Sequence, residues 1–165
     1  MDLLVFPDGA AHFGALRWRC RLGRAGITDA KREGDGATPA GAWLMRGVLY
    51  RPDRRACPAT ALPTRALGME DGWCDDPDDP GYNRAVRLPY PGRCERLWRE
   101  DAVYDIIVPL SYNDAPVVPG RGSAIFLHLA RADGGPTEGC VALDLPDLLT
   151  FLAAATAETR VIVSP

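Results

Sequence analysis

Ile125-Phe126-Leu127-His128-Leu129-Ala130-Arg131-Ala132-Asp133-Gly134-Gly135-Pro136-Thr137-Glu138-Gly139-Cys140-Val141 is the stretch that decides how this chain reads. An apolar run closes on a histidine, a polar, glycine-rich loop follows, and Gly139-Cys140 leads into a second apolar run. Runs of this length and composition predict buried strands. Two strands joined by such a loop are expected to lie side by side and to bring His128 and Cys140 to one edge of a sheet.

That placement matters because a thiol becomes a strong nucleophile only when deprotonated, and a neighbouring imidazole can take its proton. Glycine before the cysteine permits a tight turn. Such a turn would leave the N–H groups of Glu138, Gly139 and Cys140 free to hold a developing oxyanion. Taken singly, each residue has a blander reading. A cysteine between Gly139 and Val141 is a small buried apolar side chain, and a histidine at a strand end is a capped or surface group.

Downstream, Asp144-Leu145-Pro146-Asp147 predicts a helix start, with Asp144 as N-cap, proline in the first turn and Asp147 facing the dipole. Leu148, Leu149, Leu152 and Ala155 supply its apolar face. Arg160 to Val163 closes the chain as a strand. Upstream, Tyr104 to Leu110 and Ser123 to Leu129 read as buried strands. In the first third, Leu3 to Phe6, Ala11 to Phe13 and Arg17 to Leu22 are strand candidates, the first two joined by an Asp8-Gly9 turn. Lys31 to Gly41 is a polar, glycine-rich loop, and Ala42 to Tyr50 is the next strand candidate. Residues 51 to 100 are rich in proline and aspartate. Asp75-Asp76-Pro77-Asp78-Asp79-Pro80-Gly81 is excluded from regular structure, and Cys94 to Glu100 offers a short helix. The sum is a mainly antiparallel β domain, residues 1 to 165, with one clear helix near the C-terminus and a long ordered loop.

Composition agrees with one domain. The chain has 165 residues, 47% of them hydrophobic, and a formal net charge of −3 with both signs mixed along its length. That balance argues against a nucleic-acid partner. No stretch approaches the roughly 20 apolar residues of a transmembrane helix. The start, Met1 to Gly9, lacks the basic region and apolar length of a signal peptide and reads as a strand and turn. Of the five cysteines and two histidines, none forms a Cys-x-x-Cys pair, so no metal site and no cofactor is expected.

The segment ending at Cys140 resembles the catalytic motif of the L,D-transpeptidase (YkuD-like) family, a histidine at a strand end followed by a loop and Ser/Thr-His/Arg-Gly-Cys. Here it stands as His128 and Thr137-Glu138-Gly139-Cys140. A second element of the family, Thr-Pro-x-Gly-x-aromatic after a glycine-rich loop, stands as Thr38-Pro39-Ala40-Gly41-Ala42-Trp43. The resemblance covers roughly residues 1 to 164. Gly72-Trp73-Cys74-Asp75-Asp76 and Tyr82-Asn83-Arg84 are similar to a short single-domain branch.

The resemblance implies the family's β-sandwich-like catalytic domain. It implies that Cys140 attacks a peptidoglycan stem peptide at the carbonyl of the L-centre of meso-diaminopimelate, releases D-Ala and forms a thioester. A second stem peptide's amine then completes a cross-link, in the service of cell-wall biogenesis and cell shape. His128 is the implied base, oriented by a backbone carbonyl, with Gly139 and Glu138 as the oxyanion site. Thr137, Trp73 and Tyr82 are implied substrate contacts, and a carbapenem is expected to acylate Cys140. Family function implies the periplasm or cell wall; no export signal is visible at the start, so a misassigned start, a trimmed signal and a cytoplasmic location all stay open.

This chain departs from the motif in three ways. Glu138 replaces the family's His or Arg, and a close, unpaired carboxylate there would raise the thiol pKa; solvent exposure or pairing with an arginine such as Arg131 would prevent that. Ala142 stands where the family has Asn or Arg, and the His128–Cys140 loop is short. Two other functions stay open: an L,D-carboxypeptidase-type hydrolase using the same residues, and a non-catalytic cell-wall-binding domain of the same fold. The Asp75, Asp76, Asp78, Asp79 cluster offers calcium ligands but suits turn chemistry better. Trp73 and Tyr82 fit either the cleft or the packing beneath a loop. Cys74 reads as a packed thiol, His12 as a surface residue and Asn113 as a turn residue.

Overall fold

The computed structural model describes residues 1–165. The strands, in chain order, are β1 (Leu3–Val5), β2 (Ala10–Phe13), β3 (Leu16–Arg21), β4 (Ile27–Thr28), β5 (Thr38–Pro39), β6 (Gly41–Leu44), β7 (Val48–Tyr50), β8 (Thr64–Ala66), β9 (Asp71–Cys74), β10 (Ala85–Arg87), β11 (Cys94–Arg96), β12 (Ile106–Pro109), β13 (Phe126–Leu129), β14 (Val141–Leu143) and β15 (Arg160–Val163). One helix, α1 (Leu145–Ala154), joins the last two strands. No helix is long and apolar enough to cross a membrane.

Ten strands form one sheet in the order β6-β15-β1-β2-β3-β14-β13-β12-β7-β8, and β10-β9-β11 form a separate small sheet. The large sheet is mainly antiparallel, as expected, with three parallel pairs, β1/β15, β7/β8 and β13/β14, set within it. The β13–β14 neighbours predicted from sequence do pair, but in the middle of the sheet and not at its edge. The Ala42–Tyr50 strand is interrupted between β6 and β7 at Met45–Gly47, and the segment from Cys94 to Glu100 starts with β11 (Cys94–Arg96) and forms no helix. Gly47 has a φ of 149°, and a Cβ there would stand 2.9 Å from Pro63 O, so the chain turns where only glycine fits.

The packing divides β12 and β13 by alternation. Ile106, Val108, Leu127 and Leu129 enter a large core with Leu3, Val5, Phe13, Val141 and Leu143, closed by Leu148, Phe151 and Leu152 of α1. Because strands from both ends of the sheet share this core, the sheet wraps around it. Ile107 and Phe126, on the opposite face, join Leu67, Leu97, Tyr104 and Cys140 in a second cluster under the small sheet. Strands covered on both faces are apolar throughout, which is why β12 and β13 read as unbroken runs. The predicted helix face is corrected at two positions: Phe151 is buried and Leu149 is 37% exposed. Asp144 occupies the N-cap with no side-chain capping bond.

Candidate active site

His128 lies on the same face of β13 as Phe126, since side chains two apart in a strand point the same way. It is buried, with its Nδ1 2.8 Å from Leu129 O. A carbonyl accepts only, so Nδ1 carries the proton and Nε2 is left as the basic nitrogen. Tyr104 packs against the imidazole, its ring 5.4 Å away in an edge-on arrangement, and its hydroxyl donates to Glu95 at 2.6 Å. Burial pulls His128 down to about 4, with smaller opposing effects from the Leu129 carbonyl and Asp101. The imidazole is therefore neutral at physiological pH.

Cys140 immediately precedes β14, which pairs with β13 in the register Leu127↔Val141 and His128↔Ala142. The cysteine thus stands level with Phe126, whose N–H donates to Sγ at 3.3 Å, while Sγ donates to Ala124 O at 3.2 Å. Burial pushes the thiol up to about 12, countered by the Phe126 N–H and by the Lys31 ammonium. In this resting arrangement neither hydrogen bond of Sγ goes to His128. A neutral imidazole and a neutral thiol face a common cleft of about 470 Å3, lined also by Lys31, Tyr104, Thr137 and Glu138.

The turn before the nucleophile is braced by two threonines. Thr137 Oγ1 donates to Cys140 O at 2.7 Å and accepts from Gly139 N–H at 3.1 Å. Thr38 Oγ1 donates to the same carbonyl at 3.5 Å and accepts from Gly23 N–H at 2.8 Å. The two sequence elements, around Thr38 and around Cys140, therefore meet at one backbone atom. Gly139 has a φ of 138°, and a Cβ there would approach Ala37 O to 2.7 Å. Its N–H is taken by Thr137, so of the expected oxyanion donors Gly139 is engaged. The N–H groups of Glu138 and Cys140 make none of the turn and loop hydrogen bonds.

Other candidates fall into place around this centre. Glu138 lines the cleft and pairs with Arg24, while Arg131 pairs with Asp133. Trp73 and Tyr82 stand behind the cleft wall. The Trp73 ring packs edge-on against Phe126 at 5.1 Å and its Nε1 donates to Asn83 at 2.9 Å. Tyr82 is buried, donates to Glu33 and accepts from Gly122 N–H. Three groups escaped the sequence reading: Lys31, Glu95 and Tyr104. The isolated tyrosine before β12 carried no motif. Lys31 was visible only as the chain's single lysine. The aspartate-rich loop is organised by turns, with Asp79 accepting from Gly81 N–H at 2.6 Å and from Tyr90 at 2.7 Å.

Comparison with known proteins assigns residues 3–163 to the family described as the L,D-transpeptidase catalytic domain, YkuD. Among solved structures, an L,D-transpeptidase from Mycobacterium smegmatis aligns over 99% of this chain, with 10% identity and a TM-score of 0.42. The chain spans 58% of the length of that protein. No curated protein sequence matches.

Proposed function

The chain belongs to the L,D-transpeptidase (YkuD) catalytic-domain family, and on that footing we propose that it is a cysteine-dependent acyltransferase acting on peptidoglycan stem peptides. The observation that carries the reading is the shared cleft. It is lined by a nucleophile candidate, Cys140, and by a base candidate, His128, whose Nδ1 is fixed on a backbone carbonyl so that Nε2 is free.

Because imidazole and thiol are both neutral at rest, proton transfer accompanies attack and no preformed ion pair is needed. Attack requires the Cys140 side chain to rotate off Ala124 O and present Sγ–H to Nε2. Sulfur then adds to the donor carbonyl, at the L-centre of meso-diaminopimelate, as its proton passes to His128. The oxyanion is held by the Cys140 N–H. Collapse expels D-Ala, whose nitrogen takes the proton from His128, and a thioester remains. An acceptor amine from a second stem peptide gives up a proton to His128 and attacks the thioester. The new amide forms and the thiol is restored. With water as acceptor the same thioester yields a carboxylate, the L,D-carboxypeptidase outcome.

The test is intact-mass measurement after incubation with a carbapenem, which acylates such a nucleophile. A covalent adduct in the wild type, absent in Cys140→Ser and slowed in His128→Ala, is the expected result. Absence of an adduct, together with no turnover of a tetrapeptide muropeptide, would leave a cell-wall-binding domain as the better reading. With turnover, cross-linked dimer marks transfer and tripeptide marks hydrolysis. A transpeptidase acts where peptidoglycan lies, so the proposed location is the periplasm or cell wall.

A further inference from the structure

Two cysteines outside the site face each other across the small sheet. In the antiparallel β9–β11 pair, Cys74 is registered directly opposite Cys94. The backbone groups of Cys74 are turned the other way: its N–H donates to Arg84 O and its carbonyl accepts from Asn83 N–H, both at 2.9 Å, on the chain entering β10. The next hydrogen bond toward β11 is made one residue on, from Asp75 N–H to Arg93 O at 3.3 Å. Cys74 and Cys94 therefore form a non-hydrogen-bonded pair, the closer of the two antiparallel spacings, with Cα atoms about 4.5 Å apart and side chains on one face. Disulfides span Cα separations of roughly 4.4–6.8 Å, so the register supplies the geometry and side-chain rotation completes it.

We propose that Cys74 and Cys94 are a redox pair, closing a cross-strand disulfide between β9 and β11 when the protein meets a thiol–disulfide oxidant such as oxidised glutathione. Both thiols are free in the reduced state described here. Their environments set the order of events. Cys94 is half-buried at the surface, whereas Cys74 is fully buried and its thiol is pushed up by burial. The Cys94 thiolate attacks the glutathione disulfide and releases one reduced glutathione. Cys74 then loses its proton to solvent and displaces the second, so two thiols are oxidised and one disulfide is reduced. The remaining three cysteines lack such a partner: Cys20 is opposite Leu143, Cys140 is level with Phe126, and the exposed Cys57 thiol meets Pro58 O and Thr64 Oγ1.

The position of the pair gives the bond a consequence for the cleft. Asp75 follows Cys74 and Glu95 follows Cys94, and both carboxylates line the cleft. Glu95 also holds the Tyr104 hydroxyl beside His128. A bond between β9 and β11 would fix these two walls relative to each other. The inference is independent of the reaction proposed for Cys140.

The test is to equilibrate the purified chain with mixtures of reduced and oxidised glutathione, trap thiols in acid, count them in denaturant and map the peptides. The expected result is loss of the Cys74 and Cys94 thiols together, with one linked peptide joining the two and any glutathione adduct confined to the exposed Cys57. Cys94→Ser should leave Cys74 a free thiol under the same conditions. Retention of all five thiols, a bond between any other pair, or a glutathione adduct on Cys94 that Cys74 never displaces would overturn the proposal.

Discussion

Thr38 Oγ1 donates to Cys140 O at 3.5 Å across 102 residues of sequence, and Thr137 Oγ1 reaches the same carbonyl at 2.7 Å. The two hydroxyls make the Cys140 carbonyl a junction between two segments far apart in the chain. Removing the nearer hydroxyl in Thr137→Val strips a partner from Cys140 O and from Gly139 N–H, both buried. A stability loss of about 1–3 kcal/mol is expected, measured by urea unfolding. Carbapenem acylation should slow as well, because the turn that aims Sγ loosens. Unchanged stability would mean that water replaces the hydroxyl.

Gly139→Ala should be more damaging than its size suggests. The substitution combines a φ of 138° with a Cβ 2.7 Å from the Ala37 carbonyl, neither of which a flexible side chain can relieve. Folding should be weakened by a few kcal/mol, on the order of the strain and overpacking costs in other tight sites. Thiol reactivity at Cys140 should change with it. Wild-type melting and alkylation behaviour would contradict the close approach.

Stability should depend on His128 in mildly acid solution. Burial holds its folded pKa near 4 against an ordinary 6.5. Between those values the unfolded chain binds the extra proton. The contribution is therefore complete above about pH 6.5 and is lost progressively as pH falls towards 4, reaching about 3 kcal/mol. Urea midpoints from pH 7 to 4 should fall more steeply for wild type than for His128→Gln. Parallel curves would place the histidine in water.

Two charged neighbours of Cys140 should behave differently. Lys31, buried in the cleft wall with Nζ donating to Arg32 O at 2.9 Å and paired with Asp35, favours the thiolate. Lys31→Met should slow iodoacetamide alkylation of Cys140 at mildly alkaline pH by about fivefold, a modest share of what one nearby charge can do. Asp35→Asn should speed it. Glu138→Gln should change little, since that carboxylate is mostly exposed and already neutralised by Arg24; its stability effect should stay within about 1 kcal/mol. A large effect at Glu138 with none at Lys31 would invert this electrostatic picture.

Asp105 is buried beneath Tyr104 and accepts from both Arg54 and Arg55 at 3.1 Å. Truncating it in Asp105→Ala leaves two guanidinium groups without their partner, and a loss of about 3 kcal/mol or more is expected in thermal or urea unfolding. A loss below 1 kcal/mol would show that solvent takes over the pair.

Local sequence carried the site further than the fold. His128 at the end of an apolar run and Gly139 before Cys140 were readable because both strands are short, buried and flanked by a loop rich in glycine. The helix start at Asp144-Leu145-Pro146 was readable for the same local reason. What escaped depended on distant partners. The parallel pairing of β1 with β15 joins the two ends of the chain, and nothing in Leu3–Val5 announces it. Phe151 was overlooked although it lies on the ordinary apolar stripe of α1, three residues after Leu148 and beside Leu152, whereas Leu149 lies off that stripe. Lys31, Glu95 and Tyr104 converge on the cleft from three separate segments, so only the folded chain reveals them as neighbours. The N–H of Gly139 was counted as free because its partner, Thr137 Oγ1, was read only as a substrate contact.

The alternation of β13 has a practical meaning for anyone altering this protein. Leu127 and Leu129 belong to the large core, whereas Phe126 joins the second cluster and His128 lines the cleft. Point changes at one set can adjust stability while sparing the other set's duties. Deleting a single residue from the strand would exchange the two inventories, turning an imidazole into the oily interior and a leucine toward the thiol. The protein should thus bear conservative substitution along this ribbon far better than any change in its length.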